Sequence, residues 1–215
     1  MNAIKNKKTV LTFVTFFIVL ALGFWFFIDN TPPTPEETFI AIKREAESGD
    51  SIAQRELAVL YERGIGTKQD YIQAHAWFNK AAIQGDAIAQ SYLGALYASG
   101  NRVTKDYIKA HEWFEKAAAQ GDAKAQSYLG ALYAHGDGVP RDYIKAREWF
   151  EKAAAQGDAN AQNDLGSLYA SGGYGFPKDP EKAREWFEKA AAQGHVRAQY
   201  ILEKLDASEH SISKD

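Results

Sequence analysis

The chain has 215 residues, which is enough for one or two ordinary domains. Its 25 basic and 28 acidic residues give a net charge of −3, and this mild acidity argues against a nucleic-acid partner, because nucleic-acid binding depends on clustered Lys and Arg. Cysteine is absent, which excludes disulfides, thiol nucleophiles and metal sites built from cysteine.

The first 28 residues predict a membrane segment. A short basic stretch at 1–9 contains three lysines, and residues 10–28 carry no charge. At about 1.5 Å per residue this run would span roughly 29 Å as a helix, the thickness of a bilayer's hydrocarbon core. Lysines before the run and acidic residues after it predict an N-in, C-out orientation, so that the rest of the chain is extracytoplasmic, most plausibly facing a bacterial periplasm.

A cleaved signal peptide is the alternative reading of the same segment. The apolar run is longer than the usual hydrophobic region of a signal peptide, and the large aromatic residues 24–27 follow at once. These features favour an uncleaved signal anchor. Residues 29–37, with the sequence TPPTP at their centre, then predict a Pro-rich linker that keeps the following domain within about 20 Å of the bilayer.

Ten residues recur four times at nearly constant spacing in the rest of the chain. They read WFNKAAIQGD at 77–86, WFEKAAAQGD at 113–122 and at 149–158, and WFEKAAAQGH at 186–195. A fixed period of 36 or 37 residues is the signature of a stacked-repeat solenoid. We therefore divide a repeat domain at 38–206 into units 51–86, 87–122, 123–158 and 159–195.

Each unit has the pattern of two helices. In the second unit, apolar residues such as Leu93 and Leu96 recur at helical spacing from residue 87 to residue 99, between the N-cap Asp86 and the stop Gly100. A second apolar helical face follows from residue 107, and the sequence QGD ends it and caps the next helix. In the fourth unit Pro180 follows its capping aspartate, as expected at a first helical position.

The two ends of the array predict caps. Residues 38–50 have the pattern of a worn second helix, and residues 196–206 that of a lone first helix with a polar outer face. Terminal repeats of solenoids require such a face. Residues 207–215 form a predicted polar tail.

The repeated pattern AxAQxxLGxLYxxGxGxxxDYxKAxEWFEKAAAQGD resembles the Sel1-like repeats, which are related to tetratricopeptide repeats. The resemblance covers residues 39–206. It implies an all-α fold: a right-handed α-solenoid of about four helix pairs with terminal capping helices, whose first helices line the concave side. It also implies a usual role as an adaptor between proteins. Some secreted members carry one disulfide per repeat and are linked to β-lactam binding or hydrolysis, and the absence of cysteine here weakens that link.

Two loops depart from the GxG pattern between the helices of a unit. The second unit has Gly100-Asn101-Arg102, and the fourth has an inserted residue within 172–175. We expect both loops to differ in shape from the family pattern.

No residue pattern predicts catalysis, a cofactor or a metal. The column His75, His111, Arg147 and Arg184 indicates a solvated basic stripe and not metal ligands, and the repeated Glu and Lys at helical spacing indicate an exposed face. The spacing SxxK occurs once, from Ser211 to Lys214 in the polar tail. The sequence therefore predicts a protein that is not an enzyme.

The register of tetratricopeptide repeats assigns the concave face to the second, fifth, ninth, twelfth and thirteenth positions of each unit. The candidate partner-binding residues are Arg55, Val59, Glu62, Arg63, Ile88, Ser91, Ala95, Ser99, Lys124, Ser127, Ala131, His135, Asn160, Asn163, Ser167 and Ser171. Small residues in the middle of this face suit a trough for a peptide or helix. They are equally expected if a tightly curved inner face tolerates only small side chains.

The predicted function is a membrane-anchored scaffold that binds an unidentified protein or peptide outside the cytoplasm. A β-lactam-type hydrolase, suggested by family association, and a purely structural spacer are the alternatives.

Overall fold

The computed structural model describes residues 32–172 and 177–212, and within them the chain forms ten helices and no strand. The helices are α1 Pro35–Glu47, α2 Ser51–Arg63, α3 Tyr71–Ile83, α4 Ala87–Ser99, α5 Tyr107–Ala119, α6 Ala123–His135, α7 Tyr143–Ala155, α8 Ala159–Ser171, α9 Pro180–Ala192 and α10 Val196–Ile212. The predicted all-α repeat array is confirmed. The predicted membrane segment lies outside the described residues, and no helix inside them is long and apolar enough to cross a bilayer.

Aspartate caps organise the helix starts as the sequence predicts. The side chains of Asp86, Asp122 and Asp158 each accept the backbone N–H of the residue three positions on, at 2.7–2.8 Å. These bonds satisfy N–H groups that lack a partner inside the helix. At the far ends of α4 and α6, Gly100 and Gly136 adopt left-handed conformations with φ of 70° and 79°. The helix boundaries therefore follow directly from local chemistry.

Both ends of the array differ from the predicted boundaries. Helix α1 begins at Pro35, inside the predicted linker, because Thr34 and Glu37 form a capping box and proline suits the first helical position. Helix α10 continues to Ile212 and so includes most of the predicted polar tail. A polar composition does not end a helix when no glycine or proline interrupts it.

The core of each unit is built on one phenylalanine and one leucine. Phe78, Phe114, Phe150 and Phe187 are buried together with Leu57, Leu93, Leu129 and Leu165. The glycines in the middle of the first helices allow this packing: a Cβ added to Gly130 would lie 2.5 Å from Cδ1 of Phe150. Close helix contact therefore explains glycine inside a helix, where it costs about 1 kcal/mol relative to alanine.

Three of the four repeated tryptophans lie at the junctions between units, whereas Trp77 is buried in the core of the first unit. Trp113 and Trp149 are half-buried and pack against the core of the preceding unit. A lysine one turn later covers the outer side of each ring, with Nζ of Lys116 and Lys152 at 4.4 and 3.9 Å from the ring centroids. The lysines that the sequence assigns to exposed ion pairs thus shield aromatic rings.

The first helices lie on the inner side of the array. Besides the contacts between consecutive helices, α4 contacts α6 and α6 contacts α8, and these contacts are more extensive than any between neighbouring second helices. Helices that approach each other more closely across units line the inner side of a curved stack. The face carried by α2, α4, α6 and α8 is therefore the candidate concave surface.

Candidate partner-binding trough on the inner face

The inner face is lined unevenly by the positions that the sequence assigns to it. At the second position of the first helices, Ile52 and Ile88 are 54% and 55% exposed, and Lys124 and Asn160 are also exposed. At the ninth position Val59, Ala95, Ala131 and Ser167 are half-buried. At the thirteenth position Arg63, Ser99, His135 and Ser171 are exposed, whereas Glu62, one residue earlier, is half-buried.

The fifth position is a correction to the predicted surface. Ser91, Ser127 and Asn163 are only 8%, 9% and 2% exposed. In the first two units this position reaches the cap of the next first helix: Arg55 lies 3.7 Å from Asp86, and the Ser91 hydroxyl donates to Asp122 at 3.0 Å. In the first two units the side chain at the fifth position therefore joins neighbouring units, and in the third unit Ser127 lies at the edge of the trough described below.

The sixth position replaces the fifth on the inner face. Tyr128 is 45% exposed, and Asp164 of the next unit lies beside the same trough. Positions two, six, nine and thirteen form one helical stripe at spacings of four, three and four residues. Position five, three residues after position two and four before position nine, fits helical spacing equally well, and only the burial of Ser91, Ser127 and Asn163 excludes it from the exposed stripe.

A polar trough of about 520 Å3 lies between the third and fourth units. One wall comes from α6 and the other from α8 with its cap, and the lining residues are Lys124, Ser127, Tyr128, Ala131, Asp158, Asn160 and Asp164. The trough thus offers an ammonium group, two carboxyl groups and an amide on a surface with an aromatic ring. Such a set can hold an extended polypeptide through hydrogen bonds and one ion pair.

Asp164 gives the trough a partly desolvated carboxyl group. Burial raises the pKa of Asp164, while the Asn163 amide, which donates to it at 2.9 Å, and the charges of Arg197, His195 and His135 act in the opposite direction. Asn163 itself is buried behind Asp164, and its Oδ1 atom meets no hydrogen-bond partner among the described residues.

The last unit ends in His195 where the other units have aspartate. The ring of His195 accepts the Ala198 N–H through Nδ1 at 3.3 Å and lies 3.2 Å from Asn160 through Nε2. The helix cap is therefore retained, and the second ring nitrogen lies beside Asn160 at the edge of the trough.

The opposite end of the inner face is closed by a side-chain pair. The Tyr92 hydroxyl donates to the Glu62 carboxylate, and its ring stacks on Phe78 at 3.9 Å. Burial, followed by the hydrogen bond to Glu62, raises the pKa of Tyr92 well above its usual range. Polar groups at this end already pair with each other, so the polar side chains that a partner could contact lie in the third and fourth units.

The histidine column lies between units and not on a solvated stripe. Nε2 of His111 lies 3.1 Å from the Tyr133 hydroxyl, and His75 is half-buried beside Tyr97. Within the described residues, no three His, Cys, Asp or Glu side chains are placed to hold a metal ion. Ser211 lies in α10, and Lys214, its partner in the SxxK spacing, lies outside the described residues.

Comparison with known families identifies the repeats. The profile of the Sel1 repeat matches residues 51–86, 87–122, 123–158 and 159–195. No curated protein sequence matches the chain. Among solved structures, a Sel1 repeat protein from Oxalobacter formigenes is 39% identical, with a TM-score of 0.70, over 76% of this chain and 66% of its own length.

Two further solved structures share the architecture. A protective antigen present in uropathogenic Escherichia coli strains, which displays an SLR fold, is 34% identical with a TM-score of 0.72 over 80% of this chain. The match covers 36% of that antigen, so this chain corresponds to about a third of it. An immunity protein from Pseudomonas aeruginosa is 22% identical with a TM-score of 0.52, which shows the fold alone.

Proposed function

This chain belongs to the Sel1 repeat family, and we propose that it is a membrane-anchored scaffold that binds a protein partner in the trough between its third and fourth units. The family fold is one used for protein–protein interaction. In this proposal the trough is the binding site for the partner, and the N-terminal apolar segment is the membrane anchor.

The observation that carries this proposal is the open trough, which places the Lys124, Asp164 and Asn160 side chains around the exposed ring of Tyr128. The partner that fits is an extended or loop segment whose backbone groups can pair with the exposed side chain of Asn160. A basic side chain of the same segment would pair with Asp164, because an ion pair favours the charged form of a carboxyl group that burial disfavours.

The location follows from the first residues of the chain. An uncharged run at 10–28 after three lysines supports an N-in, C-out anchor, and with this orientation the repeats would lie outside the cytoplasm. Helix α1 begins at Pro35, only a few residues beyond the run, so the array would lie close to the bilayer surface. The partner would therefore be a membrane-proximal or membrane protein on the non-cytoplasmic side.

We propose no catalytic role for the chain. The titratable side chains of the trough do not combine a nucleophile with an adjacent base, which acyl transfer requires. The rival function is β-lactam hydrolysis. Turnover of a chromogenic β-lactam by the purified chain, lost on Ser211→Ala, would contradict the scaffold proposal.

The scaffold proposal is tested by cross-linking in intact cells followed by identification of captured proteins. The test variants are Asn160→Arg and Asp164→Arg, which block the trough and reverse its charge. The matched control is Glu148→Arg, which makes the same kind of change at an exposed position of α7 in the outer layer. We expect one partner to be captured by the wild type and the control but not by the trough variants.

Two other outcomes would contradict the proposal. Capture that is equal in all four proteins would place the interface elsewhere on the solenoid. Failure to capture any protein reproducibly would favour a structural spacer.

A further inference from the structure

One edge of the solenoid carries a row of exposed isoleucines. Ile72, Ile108 and Ile144 are the second residues of α3, α5 and α7, and they are 81%, 63% and 52% exposed. Because these helices recur every 36 residues, the three side chains follow one another along the edge where the second helices begin. The equivalent residues at the two ends of the array are Glu36 and Glu181, so the row is limited to the first three units. Large apolar side chains gathered on one surface are typical of a contact with a protein or a membrane.

Apolar exposure alone does not distinguish this edge from the opposite one. Ile52, Ile83 and Ile88 are also exposed, and they lie where the second helices end and the first helices begin. Two further properties set the edge with the isoleucine row apart. These are its charge and its position relative to the point at which the chain enters the array.

Cations surround the isoleucine row and are scarce at the opposite edge. The segments 100–109 and 136–145, which contain two of the three isoleucines, hold five Lys and Arg and three Asp. Two of these aspartates accept backbone N–H groups at the starts of α5 and α7, which leaves Asp137 as the remaining acidic side chain of the two segments. At the opposite edge, the segments 82–90 and 118–126 hold one lysine and two aspartates. The edge with the row is therefore both apolar and positively charged.

The chain also enters the array at this edge. Helix α1 begins at Pro35, and the loop of the first unit rests on it, because a Cβ added to Gly66 would overlap the Pro35 carbonyl group. The loop of the third unit makes the same kind of contact with the start of α5, where a Cβ on Gly138 would lie 2.7 Å from the backbone of Tyr107. The loops and the starts of the second helices thus share one edge with the start of α1. The residues that precede Pro35 join the array there.

We infer that this edge docks on the surface of an anionic lipid bilayer, with the isoleucine row in the headgroup region and the surrounding lysines and arginines on lipid phosphates. Apolar burial and attraction to anionic lipids act together in this kind of binding. The inference rests on the proposed anchor at 10–28, because residues 29–34 reach at most about 20 Å when extended and so hold the edge near the bilayer. Lys124 and Asn160 of the trough lie at the starts of first helices, on the opposite edge, so docking leaves the trough open.

The test uses the full-length chain reconstituted into vesicles of phosphatidylcholine and phosphatidylglycerol in equal parts, and into vesicles of phosphatidylcholine alone. The chain has no cysteine, so one introduced cysteine can carry a fluorophore. Thr104→Cys places the label at an exposed position of the edge, and Ala119→Cys places it at the exposed far end of α5, about 20 Å away. We expect a nitroxide on the lipid headgroup to quench the label at 104 but not at 119, and to do so only in the anionic vesicles.

Substitutions at exposed positions separate docking from folding. In the Thr104→Cys background, Ile108→Ser together with Ile144→Ser should abolish the quenching. Ile83→Ser, which removes an equally exposed isoleucine from the opposite edge, is the matched control and should leave the quenching unchanged. Lys145→Gln should lower the ratio of docked to undocked chains about fivefold, because each cation near an anionic surface contributes about this factor.

The remaining outcomes would overturn the inference. Equal quenching at 104 and 119, or equal quenching in both kinds of vesicle, would show that the edge has no preference for an anionic surface. A response at 104 that appears only when membrane proteins are added to the vesicles would assign the edge to a protein. Release of the whole chain from the vesicles by high salt would contradict the proposed anchor, whereas a retained chain without quenching at 104 would contradict the docking alone.

Discussion

The side-chain amide of Gln156, which caps the end of α7, donates a hydrogen bond to the side-chain carbonyl of Gln126 on α6 at 2.8 Å. Gln126 is buried and in turn donates to the backbone carbonyl of Ala118 near the end of α5, at 3.3 Å. The pair therefore ties three consecutive helices together. The same bonds join Gln120 to Gln90 and Gln193 to Gln162.

This relationship explains why the two glutamines of the repeat recur without change. The first lies in AxAQ at the start of each unit, and the second lies in QGD at its end. A buried amide needs a partner for each of its polar atoms, and each glutamine supplies one to the other. The repeats thus join through paired polar groups as well as through apolar packing.

We predict that Gln126→Leu lowers the free energy of unfolding by about 0.5–1.5 kcal/mol, because it removes the hydrogen bonds of a buried amide to the Ala118 carbonyl and from the Gln156 side chain. Thermal melting of the full chain measures the effect. Gln73→Leu, at an exposed position of α3, is the matched control and should melt like the wild type. Equal melting of the two variants would contradict the role of the glutamine pair.

The sequence predicts the helices of this fold well because their signals are local. Aspartate and proline begin the helices, glycine ends them, and the fixed period reveals the stack. The end of α10 is not predicted, because a polar helix looks like a polar tail when no residue stops it. The burial of the fifth position is also missed, because Ser91 is covered through its hydrogen bond to Asp122, which lies 31 residues later in the chain.

Sequence spacing also does not show which of the two repeated aromatic residues lies at the centre of each unit. Tryptophan and phenylalanine are adjacent, and both lie near the apolar stripe of the second helix. Only the close contact between Gly130 and Phe150 shows that phenylalanine lies at the centre of the unit. Trp149, its neighbour, is turned toward the preceding unit.

We expect Phe150→Ala to cost about 3–5 kcal/mol of unfolding free energy, as usual for a buried aromatic residue. Trp149→Ala should cost less, about 1–3 kcal/mol, because the ring is half-buried. Chemical denaturation of the two variants measures both effects. Lys124→Ala, at an exposed position of the inner face, is the control. Ser127, on the same helix, is buried, so a substitution there would not be a neutral surface change. A larger loss of unfolding free energy for Trp149→Ala than for Phe150→Ala would show that tryptophan contributes more to the core.

A Cβ at the glycine of the first helix should also destabilise the unit. Gly130→Ala would place a carbon 2.5 Å from the Phe150 ring, and overpacking of this kind costs about 1–3 kcal/mol. In the double variant with Phe150→Leu the added methyl group has room, so the two changes should cost less together than the sum of their separate effects. Additive losses in denaturant melts would show that the glycine is retained for another reason.

The proposed membrane anchor makes a separate prediction. A reporter enzyme that is active only after export, fused after Asp215, should be active, and the protein should remain with the membrane fraction after washing at high salt. Glutamate in place of two apolar residues near the middle of 10–28 should prevent both results, because charges are costly at the centre of a bilayer. A soluble mature form that begins near residue 24 would instead show a cleaved signal peptide.

The last prediction concerns the pH dependence of stability through Asp164. Burial raises the pKa of this carboxyl in the folded chain above its value in the unfolded chain, so the folded state holds the proton more tightly. Stability must then fall as pH rises from the ordinary aspartate value, about 3.9, through the raised folded value. Asp164→Asn keeps the shape of the side chain and removes this ionisation. We expect the variant to melt like the wild type near pH 3.5 and above it at pH 7. Asp137→Asn, an aspartate of the loop between α6 and α7, should show no such difference. A partner that pairs a cation with Asp164 should cancel the loss of stability at pH 7.

If the wild type without a partner is as stable at pH 7 as Asp164→Asn, the assignment of Asp164 as a desolvated group available for binding is contradicted.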